Sequence, residues 1–316
     1  MWFKNLQVYR LIKPVDITQE SLEAALLKQP IRACSKLERQ TSGWISPLGT
    51  GHHDLVHAAN GCLMITFAKR EKILPTSVIR EHAEEQIFAQ ETEESRALSR
   101  RERRSIMDEV ALQLLPQALS RTTTTYAYID PENGLLLVDT ASQKRADEII
   151  ILLRDCLGRL PMVLPQLETS ISYTMTQWIL SDNCPAGFTI DDYCELQQPN
   201  KERAVIRCLH REVSTESIRA HIHENMQVVQ LGMTWNDRIS YVLDHNFAIK
   251  RIKFLELAED SFNQPEEIDS PELQFDADFA IFAAEFAHFI PALATALGGF
   301  SDILSLESES FKEKYT

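Results

Sequence analysis

A chain of 316 residues, 44% of them aliphatic or aromatic and 25% charged, carries enough apolar surface for a sizeable core and does not belong to the disordered class. The formal net charge is −14, from 32 Lys and Arg against 46 Asp and Glu. That excludes a uniformly basic nucleic-acid-binding module but not a locally basic surface, because a ligand feels the nearby field rather than the total.

The six cysteines are scattered with no C-x-x-C pair, and MWFKNLQVYR has no signal-like character, so reduced thiols in a cytoplasmic protein are expected. No run approaches the roughly 18 apolar residues of a membrane span, so a soluble chain with no membrane partner is expected.

In chain order, FKNLQVYRL at 3–11 alternates as a strand does, and SLEAALLKQP at 21–30 follows as a short amphipathic helix closed by Pro30. LVHAANGCLMITFAKR at 55–70 is a hairpin, with Asn60-Gly61 supplying the positive-φ turn. From Pro75, suited to a first helical position, to about Leu119 the chain has no glycine and many strong helix formers. This predicts one long helix with a break, or two helices in a hairpin. The break is expected between Ser95 and Ser99, where Ser99 and Glu102 have capping-box spacing.

TTTTYAYID, the turn DPENG and LLLVD form a second hairpin, and ASQKRADEIIILLRDCLG is a helix ended by Gly158. After RLPMVLP come strand-like runs at GFTIDDYCEL, AVIRCLHREV, MQVVQLGMTW, RISYVLD and AIKRIKFLEL, interrupted by a helix at VSTESIRAHIHEN. The acidic AEDSFNQPEEIDSPELQ reads as a solvated linker. It leads into FDADFAIFAAEFAHFIPALATALGG, a helix apolar around much of its circumference and therefore buried or packed on a partner.

Blocks of strands and helices indicate an α+β fold with largely antiparallel sheets. The expected division is a first sheet-helix region at 1–75 and 120–165, a projecting helical segment at 76–119, and a second sheet-helix region at 166–316 ending in a C-terminal helix.

The stretch SRRERRS, Ser99 to Ser105, crowds Arg100, Arg101, Arg103 and Arg104 together, with Arg96 just before and Glu81, Glu84, Glu85, Glu91, Glu93 and Glu94 upstream. On a continuous helix Arg96, Arg100, Arg103 and Arg104 share an arc of roughly 100° that continues into Met107, Ala111 and Leu114. Such a helix packs by its apolar end and projects by its cationic end. If Ser99 instead caps a new helix, Arg100 and Arg101 enter its first turn, where the macrodipole disfavours cations. Two readings stand: the arginines pair with the upstream glutamates on a solvated face, or they bind a polyanion, for which guanidinium and phosphate are well matched.

Other chemistry is weakly signalled. SPLGTGHHDLVHAANG fits neither a P-loop nor a dinucleotide fingerprint. His52, His53 and His57 lack a second ligand cluster, and His221 and His223 fare no better, so no metal site or cofactor is expected. No G-x-S-x-G elbow or ordered triad occurs. Asp276 and Asp278 read as helix N-terminal acids, and Asp130, Glu132 and Asp139 as turn residues. No catalytic residue is assigned.

Several of these segments, together with GWISPLG, EKILP, DEVALQLLP, NGLLLVDTAS, LRDCLGRLP, KRIKF, FDADF and ALGG, make the chain resemble the bacterial RdgC family from residue 2 to about 299. The resemblance implies a ring-shaped homodimer whose positively charged opening encircles double-stranded DNA with little sequence preference, and single-stranded DNA is a further candidate ligand. It implies a nucleoid-associated, non-enzymatic protein that restrains the RecA recombinase, by occupying its DNA or, alternatively, by direct contact as an interaction module.

With that implication, the candidate DNA-facing residues are Arg96, Arg100, Arg101, Arg103 and Arg104, with Lys69, Arg70 and Lys72, Arg207 and Arg211, and Lys250, Arg251 and Lys253. Strand alternation cannot place Lys250 and Arg251 on one face. The family is richer in lysine where this chain has CLHRE. It also carries an aromatic residue at the ring-closing contact, where this chain has Leu119; Leu115 and Leu119 are the candidate dimer-contact residues or, equally, core.

Overall fold

The computed structural model describes residues 3–12, 17–49, 51–158, 160–199, 204–209, 216–255 and 270–301. The described residues form two antiparallel sheets and seven α-helices, most of them where the patterns above place them. The first sheet contains β1 (Gln7–Leu11), β2 (Gln40–Ile45), β3 (Val56–Ala59), β4 (Cys62–Lys72), β5 (Ser120–Asp130), β6 (Leu135–Val138) and β7 (Met162–Val163). Its order is β2-β4-β5-β6-β1-β7, with β3 also pairing β4. Period-two alternation sorts its side chains. Tyr9, Ile65, Phe67, Ile129, Leu136 and Val138 face α1 (Gln19–Leu26) and α4 (Gln143–Leu157), while Phe3, Leu6, Val8, Met64, Tyr128 and Leu137 enter a second, larger core.

The second sheet holds β8 (Phe188–Gln197), β9 (Val205–Leu209), β10 (Gln227–Trp235), β11 (Ile239–Asp244) and β12 (Ile249–Phe254), in the order β12-β11-β10-β8-β9. Helices α5 (Ile171–Ser181) and α6 (Glu216–His223) contribute to its inner face. The long α7 (Pro271–Ala296) packs against both sheets. Phe282 packs on Phe3 at 4.9 Å and Phe279 meets Tyr128 edge-to-face at 5.6 Å, whereas Phe289 meets Tyr241 at 4.8 Å and Phe286 meets Phe254 at 5.5 Å. Paired backbone bonds between Leu6 and Ile249, 2.7 and 3.0 Å, tie the sheets together at their edges.

Pro75 is the N-cap of α2 (Thr76–Glu94), one position earlier than expected. The break between α2 and α3 (Arg100–Leu114) falls where the capping box placed it. Asn60 and Gly61 have φ of 48° and 76°, as the tight β3–β4 turn requires. Strand β2 and helix α5 were not anticipated. QTSGWI mixes small polar residues into its alternation, and ISYTMTQWILS is rich in β-branched and aromatic residues, so tertiary packing overrides local propensity in both. The acidic linker lies outside the described residues except for Ser270–Gln274, which cap and begin α7.

One expectation needs correction. By length and composition α7 is apolar enough to cross a membrane. Its phenylalanines are instead consumed in the core: Phe279, Phe282, Phe286 and Phe289 are fully buried between the sheets.

Candidate nucleic-acid interface

Helices α2 and α3 form an antiparallel hairpin rooted on the first sheet. Its base is closed by the bond from Ile73 N to Leu119 O, 2.7 Å, and by Lys72, whose Nζ donates to Lys36 O at 2.8 Å and Leu115 O at 2.9 Å. At its far end Ser95 takes a left-handed conformation, φ 50°, ending α2. Ser99 then opens α3 through a reciprocal box: its Oγ accepts from Glu102 N, and the Glu102 carboxylate accepts from Ser99 N at 2.7 Å. At about 1.5 Å per residue, the first turn of α3 stands about 20 Å from the helix's other end.

The arginine island therefore occupies the hairpin tip, and the two readings of it divide residue by residue. Arg96 pairs with Glu102 at 2.7 Å and Glu94 at 2.6 Å, and Arg103 pairs with Glu91 at 2.7 Å. These follow the solvated ion-pair reading. Arg100, Arg101 and Arg104 are exposed, and no described residue pairs with them. The continuous-helix arc is corrected, because Arg96 lies in the break rather than on α3. Val110 and Ala111 anchor α3, with Met107 and Leu114 only half-buried.

Electrostatics at the tip are tightly coupled. Arg96, with the Ser99 side chain and backbone N–H, holds the Glu102 carboxyl down at about 2. The Leu98 N–H, despite some desolvation and with help from Arg103, keeps Glu91 low. The unpaired trio sits at a helix N-terminus, where free N–H groups and guanidinium forks both favour an anion.

The structure does not bring the remaining described candidates to that tip. Lys69 is largely buried on the α4 side, shared between Glu148 at 3.1 Å and Glu71 at 3.2 Å. Arg70 donates to Thr122 Oγ1 at 3.1 Å. Lys72 donates to the two carbonyls of the hairpin base described above, which gives it a structural role there. Arg207 pairs with Glu195 at 2.7 Å; Arg211 lies outside the described residues. Leu115 is 1% exposed inside the subunit, whereas Leu119 is 78% exposed.

On β12 the alternation argument is overturned. Arg251 has φ 54°, and the register slips between Ser240↔Lys253 and Val242↔Lys250. This bulge leaves Lys250, Arg251 and Lys253 all outside the core while Ile249, Ile252 and Phe254 point in. Arg251 lies over the Tyr193 ring at 4.8 Å. A Cβ on Gly232 would lie 3.0 Å from Tyr193 Cβ, so glycine is what lets Tyr193 settle across β10. Tyr193 as a platform escaped sequence reasoning; an isolated glycine in a strand pattern was its signal. Lys250 pairs with Asp244 at 2.8 Å. Burial opposes the charge on Asp244, but Lys250 and the Asn246 N–H outweigh it and hold the carboxyl below its ordinary range.

The acids have local partners. Asp130 accepts from Asn133 N and Nδ2, and Asp139 from Lys4 N and Asn5 N. Asp276 pairs with His57 at 2.9 Å and lies within α7 rather than capping it, as does Asp278, which accepts from Gln274. His52 meets Glu272 at 3.5 Å. Among the described residues no three metal-ligating side chains cluster.

Comparison with known proteins adds a family to this geometry. A family model described as "Putative exonuclease, RdgC" matches residues 1–300. A recombination-associated protein RdgC from Aeromonas hydrophila is 39% identical over 299 residues, 95% of this chain and 98% of its own length. Proteins of the same name from Edwardsiella ictaluri and Pseudomonas entomophila are 40% and 39% identical, each over 95% of this chain and 98% of their own length.

Proposed function

The chain belongs to the RdgC family, and on that premise we propose that it is a recombination-associated, non-sequence-specific binder of double-stranded DNA. It acts as a homodimeric ring in the cytoplasm, at the nucleoid, and limits RecA access to DNA by occupying phosphates rather than by catalysis. The observation that carries this reading is the division of the arginine island. Arg96 and Arg103 are spent on closing the hairpin tip, while Arg100, Arg101 and Arg104 have no ion-pair partner among the described residues and stand at a helix N-terminus in a chain of net charge −14. Positive groups left uncompensated amid such acidity need an anion, and phosphate supplies one without reference to base sequence. Lys253 and Arg251, turned outward by the β12 bulge, form a second basic site. Exposed Leu119 at the hairpin base is the apolar contact for the second subunit.

The test is a binding titration against salt. Contact with about six to ten phosphates gives a log-log slope near −0.9 per contact; a flat dependence removes the phosphate reading. Incubation of end-labelled duplex with Mg²⁺ tests the catalytic implication of the family description, and intact DNA is the expected result. Changing Arg100, Arg101 and Arg104 to Glu separates the two routes to RecA. Recombinase inhibition that survives the loss of DNA binding would mean direct protein contact.

A further inference from the structure

Cys194 on β8 and Cys208 on β9 are register partners in the antiparallel ladder. Directly opposed residues in such a ladder lie about 4.5–5.5 Å apart at Cα and share a face, inside the roughly 4.4–6.8 Å span that a disulfide bridges. Cys194 belongs to the core cluster of this sheet, and Cys208 packs against it. Among the described residues no other two cysteines are register partners: Cys62 and Cys156 are buried on different strands and helices, and the Cys156 sulfur accepts from Trp44 Nε1 at 3.3 Å. Cys194 is fully buried, whereas Cys208 is half-exposed on β9, the edge strand of its sheet. The pair thus has one sulfur facing the core and one within reach of solvent.

We propose that Cys194 and Cys208 are a redox-modifiable pair that closes to an intrasubunit cross-strand disulfide by exchange with a low-molecular-weight disulfide. The Cys208 thiolate attacks one sulfur of the small disulfide and expels the first small thiolate. Cys194 then loses its proton to solvent and attacks the Cys208 sulfur of the mixed disulfide, expelling the second. Two protein thiols give up two electrons and two protons, and one small disulfide becomes two thiols. Burial and the neighbouring Cys208 push the Cys194 thiol up to about 12, so the second step is the slow one and accelerates with pH. The bond staples the edge strand that carries Arg207 to the sheet interior.

The experiment equilibrates the full-length protein in glutathione buffers from reducing to oxidising, alkylates it, and digests it without reduction. Two of the six thiols should disappear together, and one peptide pair should be joined between Cys194 and Cys208 with loss of two hydrogens. Amide exchange across Val205–Leu209 should slow about tenfold on oxidation. Cys208→Ser should abolish the link and leave the circular dichroism of the reduced protein unchanged; should that variant fold poorly, peptide mapping of the unmodified chain decides alone. The proposal is overturned if both thiols stay alkylatable when other cysteines already carry glutathione. It is equally overturned if glutathione remains on Cys208 without transfer, or if the link forms only between chains.

Discussion

Arg103 reaches back across the α2–α3 turn to the Glu91 carboxylate at 2.7 Å, and the same carboxylate accepts the Leu98 N–H at 2.8 Å. One side chain thus closes the turn and neutralises one member of the arginine island. Glu91→Gln keeps an acceptor for Leu98 but releases Arg103. DNA affinity at low salt should rise, and the salt slope should steepen by up to about 0.9 per subunit, with folding stability little changed, as for exposed pairs. Fluorescence anisotropy over a salt series reads this; an unaltered slope would place Arg103 off the DNA path.

Acidification should open the hairpin tip before the core. A carboxyl whose pKa is depressed by folding contributes stability that is complete above its unfolded value and is lost as pH falls through the folded one. For Glu102 that window runs from 4.5 down to about 2. Amide exchange at Ser99 and Glu102 should accelerate across it, while the α7 amides remain protected. Glu102→Gln should remove the pH dependence at the Ser99 and Glu102 amides, leaving the share that Glu91 contributes at Leu98; if the acceleration at Ser99 persists unchanged, the box is not its origin.

Lys72→Met separates a supporting lysine from a DNA-contacting one. Loss of the bonds to Lys36 O and Leu115 O should cost about 1–3 kcal/mol in urea denaturation and leave the DNA salt slope as it was. A slope that drops with unchanged stability would return Lys72 to the interface.

Phe286→Ala removes a ring shared by the two sheets, which touches both Phe3 and Phe254. A loss of about 3–5 kcal/mol is expected, with spectroscopic probes in either sheet melting together. Unfolding of the second sheet alone would show that α7 does not couple them.

Much of this architecture was legible before any coordinates. Alternation, the Asn60-Gly61 turn, the Ser99–Glu102 box and the Gly158 stop are local signals, set by backbone sterics and by hydrogen bonds between near neighbours, so residues close in the chain suffice to reveal them. Strand β2 and helix α5 were not legible, because their local preferences are weak and long-range packing decides them.

For the candidate site the boundary runs through single residues. The sequence alone determined that cations are sorted into islands within an acidic chain, and that α3 begins with arginines. Only the tertiary structure decided that Arg96 and Arg103 are paired while Arg100, Arg101 and Arg104 find no partner among the described residues, that Lys72 serves the hairpin base, and that a bulge turns Lys250, Arg251 and Lys253 outward together. The physical reason is that charge composition is a property of the chain, whereas a charge's availability depends on which opposite charge or carbonyl folding brings within about 3–4 Å, and that neighbour is often distant in sequence.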